Sequence, residues 1–151
     1  MDQERIKKIR SFNRYYTVWL DVMNKGYLGT DFSWQESRVL FEIYMYQGIT
    51  ATGICGHLNM DKSYISRILA KFEKQGLITR ELVRGSKGLK KLWLTEAGKQ
   101  EAQKIDSSGD WQMINKLRKM DEETCGKLCE AMEFIEKVLR DYDERGDENE
   151  A

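Results

Sequence analysis

The segment Asp61–Gln75, with the sequence DKSYISRILAKFEKQ, constrains the fold more than any other part of the chain. Asp61 is a suitable N-cap because its carboxylate can accept hydrogen bonds from the free N–H groups of a first helical turn. Gly76 follows the last turn, where a left-handed residue commonly ends a helix. Four apolar residues recur at helical spacing and predict an amphipathic helix with one buried stripe, formed by Ile65, Ile68, Leu69 and Phe72.

The opposite face of this helix is basic, and it combines small residues with hydroxyl groups. Arg67 lies at its centre, and the neighbouring positions on this face are Ser63, Ser66, Ala70, Lys71 and Lys74. Such a face suits a helix that packs on a core and lies against phosphates and base edges. It is also typical of an ordinary solvated surface helix, so the neighbouring segments must decide between the two interpretations.

The segments before this helix predict two further helices. Ser33 and Glu36 form an S-x-x-E capping box at the start of the second helix of the chain. The segment Thr50–Leu58 predicts a short third helix, and Asn59 tolerates the left-handed conformation that the following turn often uses. A short helix, a tight turn and a longer helix with a basic face together predict a helix-turn-helix pair.

The pattern changes to that of a β-hairpin directly after Gly76. Residues 77–83 and 89–94 have strand-like patterns, and Arg84-Gly85-Ser86-Lys87-Gly88 separates them. A hairpin with a basic, glycine-rich tip after a recognition helix predicts a winged helix. The fold class that we predict is therefore mainly α with a small β-hairpin wing, whose tip can contact the minor groove or its phosphates.

Long helical patterns occupy both ends of the chain. Residues 3–24 predict a first helix, and a fifth helix begins at Thr95, with a break near residues 107–109 left open. Asp121 is the expected cap of a last helix that runs to about residue 142. These helices carry more apolar surface than one small winged helix needs. We therefore expect a two-fold homodimer, with a three-helix intramolecular cap as the alternative.

The predicted organisation follows from these patterns. Residues 1–32 and 96–145 are expected to form a dimerisation region, and residues 33–95 a DNA-binding lobe. Residues 146–151 are expected to form an acidic, flexible tail.

Charge is unevenly distributed along a chain whose formal net charge is zero. Residues 61–91 contain nine basic and three acidic residues, a net charge of +6, whereas residues 141–151 carry −5. A basic middle segment points to a polyanionic partner, here double-stranded DNA. The sequence has no apolar run long enough to span a membrane and no apolar signal region at its start, so we expect a cytoplasmic protein.

Nothing in the sequence indicates catalysis or a cofactor. The three cysteines are too few, and odd in number, for a disulfide framework, and His57, the only histidine, has no ligand partners at metal spacing. Cys55 is expected to be a buried structural thiol. Cys125 and Cys129 lie on one apolar stripe, with redox sensing as the less favoured interpretation. We therefore expect a protein that is not an enzyme and that holds no metal ion or cofactor.

The residues described above resemble the MarR family of bacterial transcription regulators. The specific parts are S-R-I-L-A-K-F-E-K-Q-G-L-I at residues 66–78 and L-T-E-A-G at residues 94–98, and the order of elements matches from residue 5 to about 142. The resemblance implies a dimeric winged helix whose terminal helices form the dimer interface. Within the family, the segments 9–16 and 36–43 look most like the MarR-type half of MarR–acetyltransferase fusion proteins, here without an acetyltransferase segment.

One departure from the family pattern concerns the wing. Members usually carry Asp-x-Arg there, where this chain has Ser86-Lys87-Gly88. Because lysine lacks the planar fork of arginine, the resemblance leaves minor-groove recognition by the wing in doubt. The candidate DNA-binding residues are Thr52, Lys62, Ser63, Tyr64, Ser66, Arg67, Lys71, Arg84, Lys87 and Lys90.

The resemblance also implies a site for a small aromatic effector. Many relatives bind such molecules between the dimer arms and the DNA-binding lobe, and aromatic side chains can either line such a crevice or pack in the core. The candidates are Tyr15, Tyr16, Trp19 and Trp34. We thus predict a DNA-binding transcriptional regulator, most simply a repressor on a pseudo-palindromic operator. The alternative is a winged-helix protein-interaction module without sequence-specific DNA binding.

Overall fold

The computed structural model describes residues 2–24 and 26–148, with side chains as far as residue 142. The chain divides into two compact units, Met1–Asp110 and Trp111–Ala151. The mainly helical fold with a two-stranded wing is as predicted. The elements within the described residues are α1 (Gln3–Trp19), α2 (Trp34–Met45), α3 (Ala51–Leu58), α4 (Lys62–Lys74), β1 (Ile78–Leu82), β2 (Lys90–Leu94), α5 (Glu96–Leu117) and α6 (Glu122–Glu148).

The core of the first unit is built from α2, α3, α4, the sheet and the first part of α5. All four residues of the predicted stripe on α4 are buried, and Ile43 of α2 and Ile54 of α3 are fully buried beside them. The other buried hydrophobic residues are Phe32, Val39, Leu40, Leu77, Ile78, Leu92, Leu94, Ala102 and Ile105. Packing of this kind is what holds short helices such as α3 in place, since they are marginal on their own.

The predicted helix caps are present. Ser33 Oγ accepts from the Glu36 N–H at 3.1 Å, and Glu36 Oε2 accepts from the Ser33 N–H at 2.9 Å, which completes the capping box of α2. Thr50 Oγ1 accepts from the Gly53 N–H at 3.1 Å at the start of α3. Asn59 ends α3 in the left-handed conformation, with φ 48° and ψ 49°. These local interactions fix the turn between α3 and α4.

The L-T-E-A-G segment joins the sheet to α5. Thr95 Oγ1 accepts from the Gly98 N–H at 3.1 Å and donates to the Gly76 carbonyl at 2.6 Å. A Cβ on Gly98 would lie only 2.0 Å from the Leu77 carbonyl oxygen. The motif thus caps α5 and lets it approach the end of α4 closely, which only glycine permits at that position.

The sheet is a two-stranded hairpin, and the loop before α3 forms further backbone hydrogen bonds with β2. β1 and β2 pair antiparallel, with Ile78 opposite Leu94 and Leu82 opposite Lys90. The loop before α3 joins β2, because the Gly48 N–H donates to the Leu92 carbonyl and the Leu92 N–H donates to the Ile49 carbonyl, both at 2.9 Å. These bonds fix the hairpin against the start of α3.

Three predicted helix boundaries differ from the structure. The first helix ends at Trp19 instead of residue 24, because the chain turns through Asp21, whose φ is +62°. The break left open near residues 107–109 does not occur, and α5 runs unbroken through this segment. Two serines and a glycine only lower helix propensity, by up to about 1 kcal/mol for glycine. The last helix extends to Glu148, and residues 149–151 of the predicted acidic tail lie outside the described residues.

The terminal helices keep much of their apolar surface exposed. α1 contains no buried residue, and the large hydrophobic side chains that it exposes include Ile9, Phe12, Tyr15 and Val18. In the second unit, α6 exposes Phe134, Leu139 and Tyr142 by at least 60% each. Several large exposed hydrophobic residues on one helix are typical of an interaction surface. The assignment of residues 1–32 and 96–145 to dimerisation is not tested by the single chain and stays a prediction.

Candidate nucleic-acid interface

The first turn of α4 is held by the Asp61 carboxylate. Asp61 Oδ1 accepts from the Ser63 N–H at 2.9 Å and from the Tyr64 N–H at 3.1 Å. At the other end, Gly76 adopts a φ of +71° and the Leu77 N–H donates to the Phe72 carbonyl at 2.9 Å. Because both ends are closed and the apolar stripe is buried, the opposite face of α4 is directed outward.

The outward face of α4 is exposed as predicted. Ser63, Ser66 and Arg67 are exposed, and Tyr64 is half-buried beside them. The Arg67 guanidinium carbon lies 5.4 Å from the centroid of the Tyr64 ring, which is within the range of a cation–π interaction. This contact places a planar group with five donors on the exposed side of the helix.

The wing tip presents its cations on a hydrogen-bonded turn. Ser86 Oγ donates to the Val83 carbonyl at 2.7 Å and accepts from the Leu89 N–H at 3.1 Å. Arg84 and Lys87 are exposed on either side of this serine. The tip therefore has a defined backbone, although it lacks the arginine that the family resemblance led us to expect two residues after Ser86.

A cationic cleft lies between the wing and the start of α3. Its volume is about 330 Å³, and four cations but no acidic residue line it. Thr52, exposed in the first turn of α3, lies at its edge. A concave surface with several cations and no acid is suited to a phosphate oxygen. The lining is formed by Thr50, Ala51, Thr52, Lys62, Arg80, Lys87, Gly88, Leu89, Lys90 and Leu92.

Sequence reasoning missed Arg80 as a member of this cleft. Arg80 lies on β1 opposite Leu92, and its Nε is 3.0 Å from Glu73 Oε2 on α4. The period-two pattern of β1 places Arg80 on the same face as buried Ile78. The contact with Glu73 joins a strand to a helix, and nothing in the local sequence pattern indicates it.

Lys71 is placed differently from the other predicted DNA-binding residues. Its Nζ lies 2.7 Å from Glu36 Oε1 on α2 and 5.8 Å from the centroid of the Phe32 ring. Lys71 is thus directed along the flank of α4 toward α2. The structure brings Thr52, Lys62, Lys87 and Lys90 together at the cleft, and it places Ser63, Ser66, Arg67 on α4 and Arg84 on the wing tip as exposed side chains.

The four aromatic residues predicted for an effector site lie on α1 and in the first turn of α2. Tyr16 stacks between Phe12 and Trp19 along α1, with ring centroids 5.4 and 5.7 Å apart. Tyr15 is exposed on the same helix, and Trp34 lies in the first turn of α2.

A small cavity lies between α2, the turn at Tyr27 and α5. Its volume is about 170 Å³, and Ser37 in its lining is 1% exposed. Ser37 Oγ is buried and has no hydrogen-bond partner among the described residues. Partial burial raises the pKa of the Tyr27 phenol, and Asp21 adds to this rise, whereas Arg38 and a hydrogen bond from Trp34 oppose it. The cavity is lined by Tyr27, Leu28, Ser37, Arg38, Phe41, Ile105, Asp106, Gly109 and Asp110.

His57 is paired with a carboxylate, and the three cysteines are half-buried or exposed. His57 Nδ1 lies 2.5 Å from Glu42 Oε1, and Glu42 is buried, so this pair joins α3 to α2. Cys55 and Cys125 are half-buried and Cys129 is exposed. Over the described part of the chain, no group of three or more His, Cys, Asp or Glu could hold a metal ion. No helix within the described residues is both long enough and apolar enough to cross a membrane.

Comparison with known proteins finds a family model that matches part of the chain and solved structures of similar fold. The family model described as MarR family matches residues 30–87, the segment that contains α2, α3, α4 and the wing tip. No curated protein sequence matches the chain.

Solved structures are similar over nearly the whole chain, at low sequence identity. Streptococcus pneumoniae FabT in complex with DNA has a TM-score of 0.68 at 20% identity, covering 93% of this chain and 99% of that one. Staphylococcus aureus MarR in complex with salicylate and kanamycin has a TM-score of 0.75 at 18% identity, covering 93% and 95%. A MarR family protein from Bacillus stearothermophilus has a TM-score of 0.73 at 12% identity, covering 93% and 99%.

The family match and the structural matches agree with the resemblance found in the sequence. Two further similar structures, Staphylococcus aureus MepR and a MarR family protein from Rhodococcus, are named as transcription regulators. Residues 30–87 thus match the MarR family model, and the chain as a whole has the fold of the MarR proteins to which it is similar.

Proposed function

We propose that this protein is a homodimeric transcriptional regulator of the cytoplasm that binds a pseudo-palindromic operator and represses the adjacent gene. The observation that carries the proposal is the combination of α4 and the cationic cleft. α4 buries its whole apolar stripe and directs Ser63, Ser66 and Arg67 outward. Such a helix can enter the major groove while Lys62, Lys87 and Lys90 neutralise flanking phosphates.

The division of labour between base and phosphate contacts follows from the side chains. Arg67 has the planar fork that pairs with guanine, and the Tyr64 ring supports it. The lysines of the cleft are point charges, which suit phosphates better than base edges. In this proposal α4 supplies sequence recognition, and the wing with Arg84 supplies affinity that falls with salt.

The homodimer is supported by the exposed apolar faces of α1 and α6. Phe12 and Val18 on α1 and Leu139 on α6 are exposed large hydrophobic side chains in the single chain. A two-fold dimer would cover such faces and place two copies of α4 about one helical turn of DNA apart.

An effector site is supported by the cavity beside Ser37. An unpaired buried hydroxyl is costly unless a ligand or water satisfies it, and rings at Tyr27 and Phe41 offer aromatic walls. Salicylate is a suitable probe because Staphylococcus aureus MarR was solved with it. Salicylate should release a preformed protein–DNA complex of the wild type and should have less effect on Ser37→Val, which removes the hydroxyl and adds a methyl group to the cavity wall.

The alternative is a winged-helix module that binds a protein partner. It is favoured only by the wing, where Ser86-Lys87-Gly88 replaces the family's Asp-x-Arg. Selection from random-sequence duplex DNA distinguishes the two. Enrichment of one two-fold symmetric motif by the wild type, and loss of the preference at one base position of each half-site in Arg67→Ala, supports the regulator. Failure to enrich any motif would refute it in favour of the interaction module.

A further inference from the structure

The start of α2 and the last turns of α4 are joined by one carboxylate. Glu36 Oε2 accepts from the Ser33 N–H at 2.9 Å, as the capping box requires. The second oxygen, Oε1, accepts from Lys71 Nζ at 2.7 Å. The Glu36 side chain is only 16% exposed, so water competes weakly for this carboxylate.

An aromatic contact lies beside the same ion pair. Phe32 meets Phe72 of α4 edge to face, with ring centroids 5.7 Å apart and planes at 89°. Lys71 Nζ lies over the same Phe32 ring. Residues 32–36 therefore contact α4 through an aromatic pair, a cation–π contact and an ion pair, while α4 itself continues into the hairpin.

The position of these contacts along α4 matters for DNA binding. Arg67 lies one turn before Lys71, and at about 1.5 Å of rise per residue the two are separated by about 6 Å along the axis. At about 100° per residue, Lys71 lies only about 40° around the axis from Arg67, and its contact with Glu36 lies on the flank next to the outward face. A contact on the flank opposes rotation of α4 about its axis, and such rotation would displace the Arg67 side chain from a base edge.

We infer that Glu36 is a positioning residue, which holds α4 in its binding orientation through Lys71, and that Lys71 acts inside the protein instead of on a phosphate. This inference rests on the proposed function, because the orientation matters only if α4 recognises DNA. Glu36 itself touches no DNA in this account. Its effect on binding is exerted through Lys71 alone.

The inference and simple electrostatics predict opposite changes in the DNA affinity of Glu36→Gln. Glu36→Gln removes a negative charge near the DNA-binding face, and it would also free Lys71 to contact a phosphate. Charge alone therefore predicts tighter binding and a steeper salt dependence. The positioning role predicts weaker binding by about threefold to tenfold, with the salt dependence unchanged. Glutamine keeps the capping box, since it serves at this position as well as glutamate.

The test compares Glu36→Gln, Lys71→Met and the double variant, using a duplex selected by the wild type. Each single variant should lose the same affinity, and the double variant should be no weaker than either, because both changes remove one interaction. Lys74→Met is the matched control: it removes an exposed cation from the same helix, and no ion-pair partner of Lys74 occurs among the described residues. Lys74→Met should lose the same DNA affinity whether it is introduced into the wild type or into Glu36→Gln.

Amide hydrogen exchange of residues 62–74 provides a readout without DNA. Exchange should be faster in Glu36→Gln than in the wild type and unchanged in Lys74→Met. Tighter or unchanged DNA binding by Glu36→Gln would overturn the inference, and so would a salt dependence that falls by one phosphate contact in Lys71→Met. If the wild type selects no DNA sequence, the proposed function fails. The exchange result then decides, and unchanged exchange overturns the positioning role.

Discussion

The guanidinium of Arg67 lies over the ring of Tyr64, three residues earlier on α4, with Cζ 5.4 Å from the ring centroid. The half-buried ring holds one side of the guanidinium and leaves its donors exposed. An arginine that is ordered before binding loses less side-chain entropy when it pairs with a base. The pair therefore links the packing of α4 to its capacity for recognition.

Arg67→Ala should weaken binding to a selected duplex by about 1–3 kcal/mol and relax discrimination at one base position. Tyr64→Leu should lose less, about 0.5–1 kcal/mol, because the guanidinium remains but its support is gone. Fluorescence anisotropy measures both. Lys99→Ala, which removes an exposed cation of α5, is the control, and an Arg67→Ala variant indistinguishable from it would remove Arg67 from the recognition set.

Lys87→Gln should weaken binding to every duplex by a similar factor, because a phosphate contact carries no sequence information. The slope of log K against log salt should fall by about two, one for each copy of Lys87 in the homodimer. Lys87 lines the cationic cleft with Lys90, so Lys90→Gln should behave alike. A variant that changed sequence preference while keeping the salt slope would mean that the wing reads bases.

Leu139→Glu should convert the homodimer into monomers, because it places a charge on the exposed apolar face of α6. Sedimentation equilibrium measures the change. Lys137→Glu is the control, since it introduces the same charge at an exposed polar position of the same helix. Equal dimerisation of both variants would contradict the assignment of α6 to the dimer interface.

Gly98→Ala should destabilise the protein by about 1–3 kcal/mol, because its Cβ would lie 2.0 Å from the Leu77 carbonyl oxygen. Gly126→Ala is the matched control within α6, where an added Cβ meets no atom within 4 Å. That change should be neutral or stabilising, by up to about 1 kcal/mol. Urea unfolding compares them, and a Gly98→Ala protein as stable as wild type would refute the close approach of α5.

Asp121 predicts a pH dependence for α6. The N–H and hydroxyl of Thr124 donate to its carboxylate at 2.9 and 2.8 Å, and these hydrogen bonds lower the pKa of Asp121. A lowered carboxylate pKa contributes stability above the unfolded-state pKa, and this contribution is lost as pH falls through the folded-state pKa. The difference in urea midpoint between wild type and Asp121→Ala should therefore be present at neutral pH and shrink in acid. A constant difference would contradict the cap.

Features confined to one continuous segment of the chain could be predicted from the sequence. The capping box of Ser33 and Glu36, the left-handed Asn59 and the buried stripe of α4 depend on local spacing alone, and each is present in the structure. The continuity of α5 through residues 107–109 could not be predicted from the sequence. Local propensity there disfavours a helix, and packing elsewhere along α5 outweighs it. The end of α1 likewise depends on a turn at Asp21 that no pattern marks.

Contacts between distant segments account for the parts of the site that sequence reasoning missed. Lys71 and Glu36 are separated by 35 residues, so periodicity placed Lys71 on α4 without showing its partner. Arg80 lines the cationic cleft because β1 packs beside α4, where the Arg80 side chain pairs with Glu73. The cavity beside Ser37 likewise needs α2 and α5 together.

Salt-dependent binding tests the central claim most directly. The wild type should be titrated by fluorescence anisotropy into its selected duplex and into a scrambled duplex, at about 50 and 200 mM salt. The account predicts weaker binding at the higher salt for both duplexes, with a clear preference for the selected one that persists. Equal affinity for both duplexes that disappears at the higher salt would contradict sequence recognition by α4.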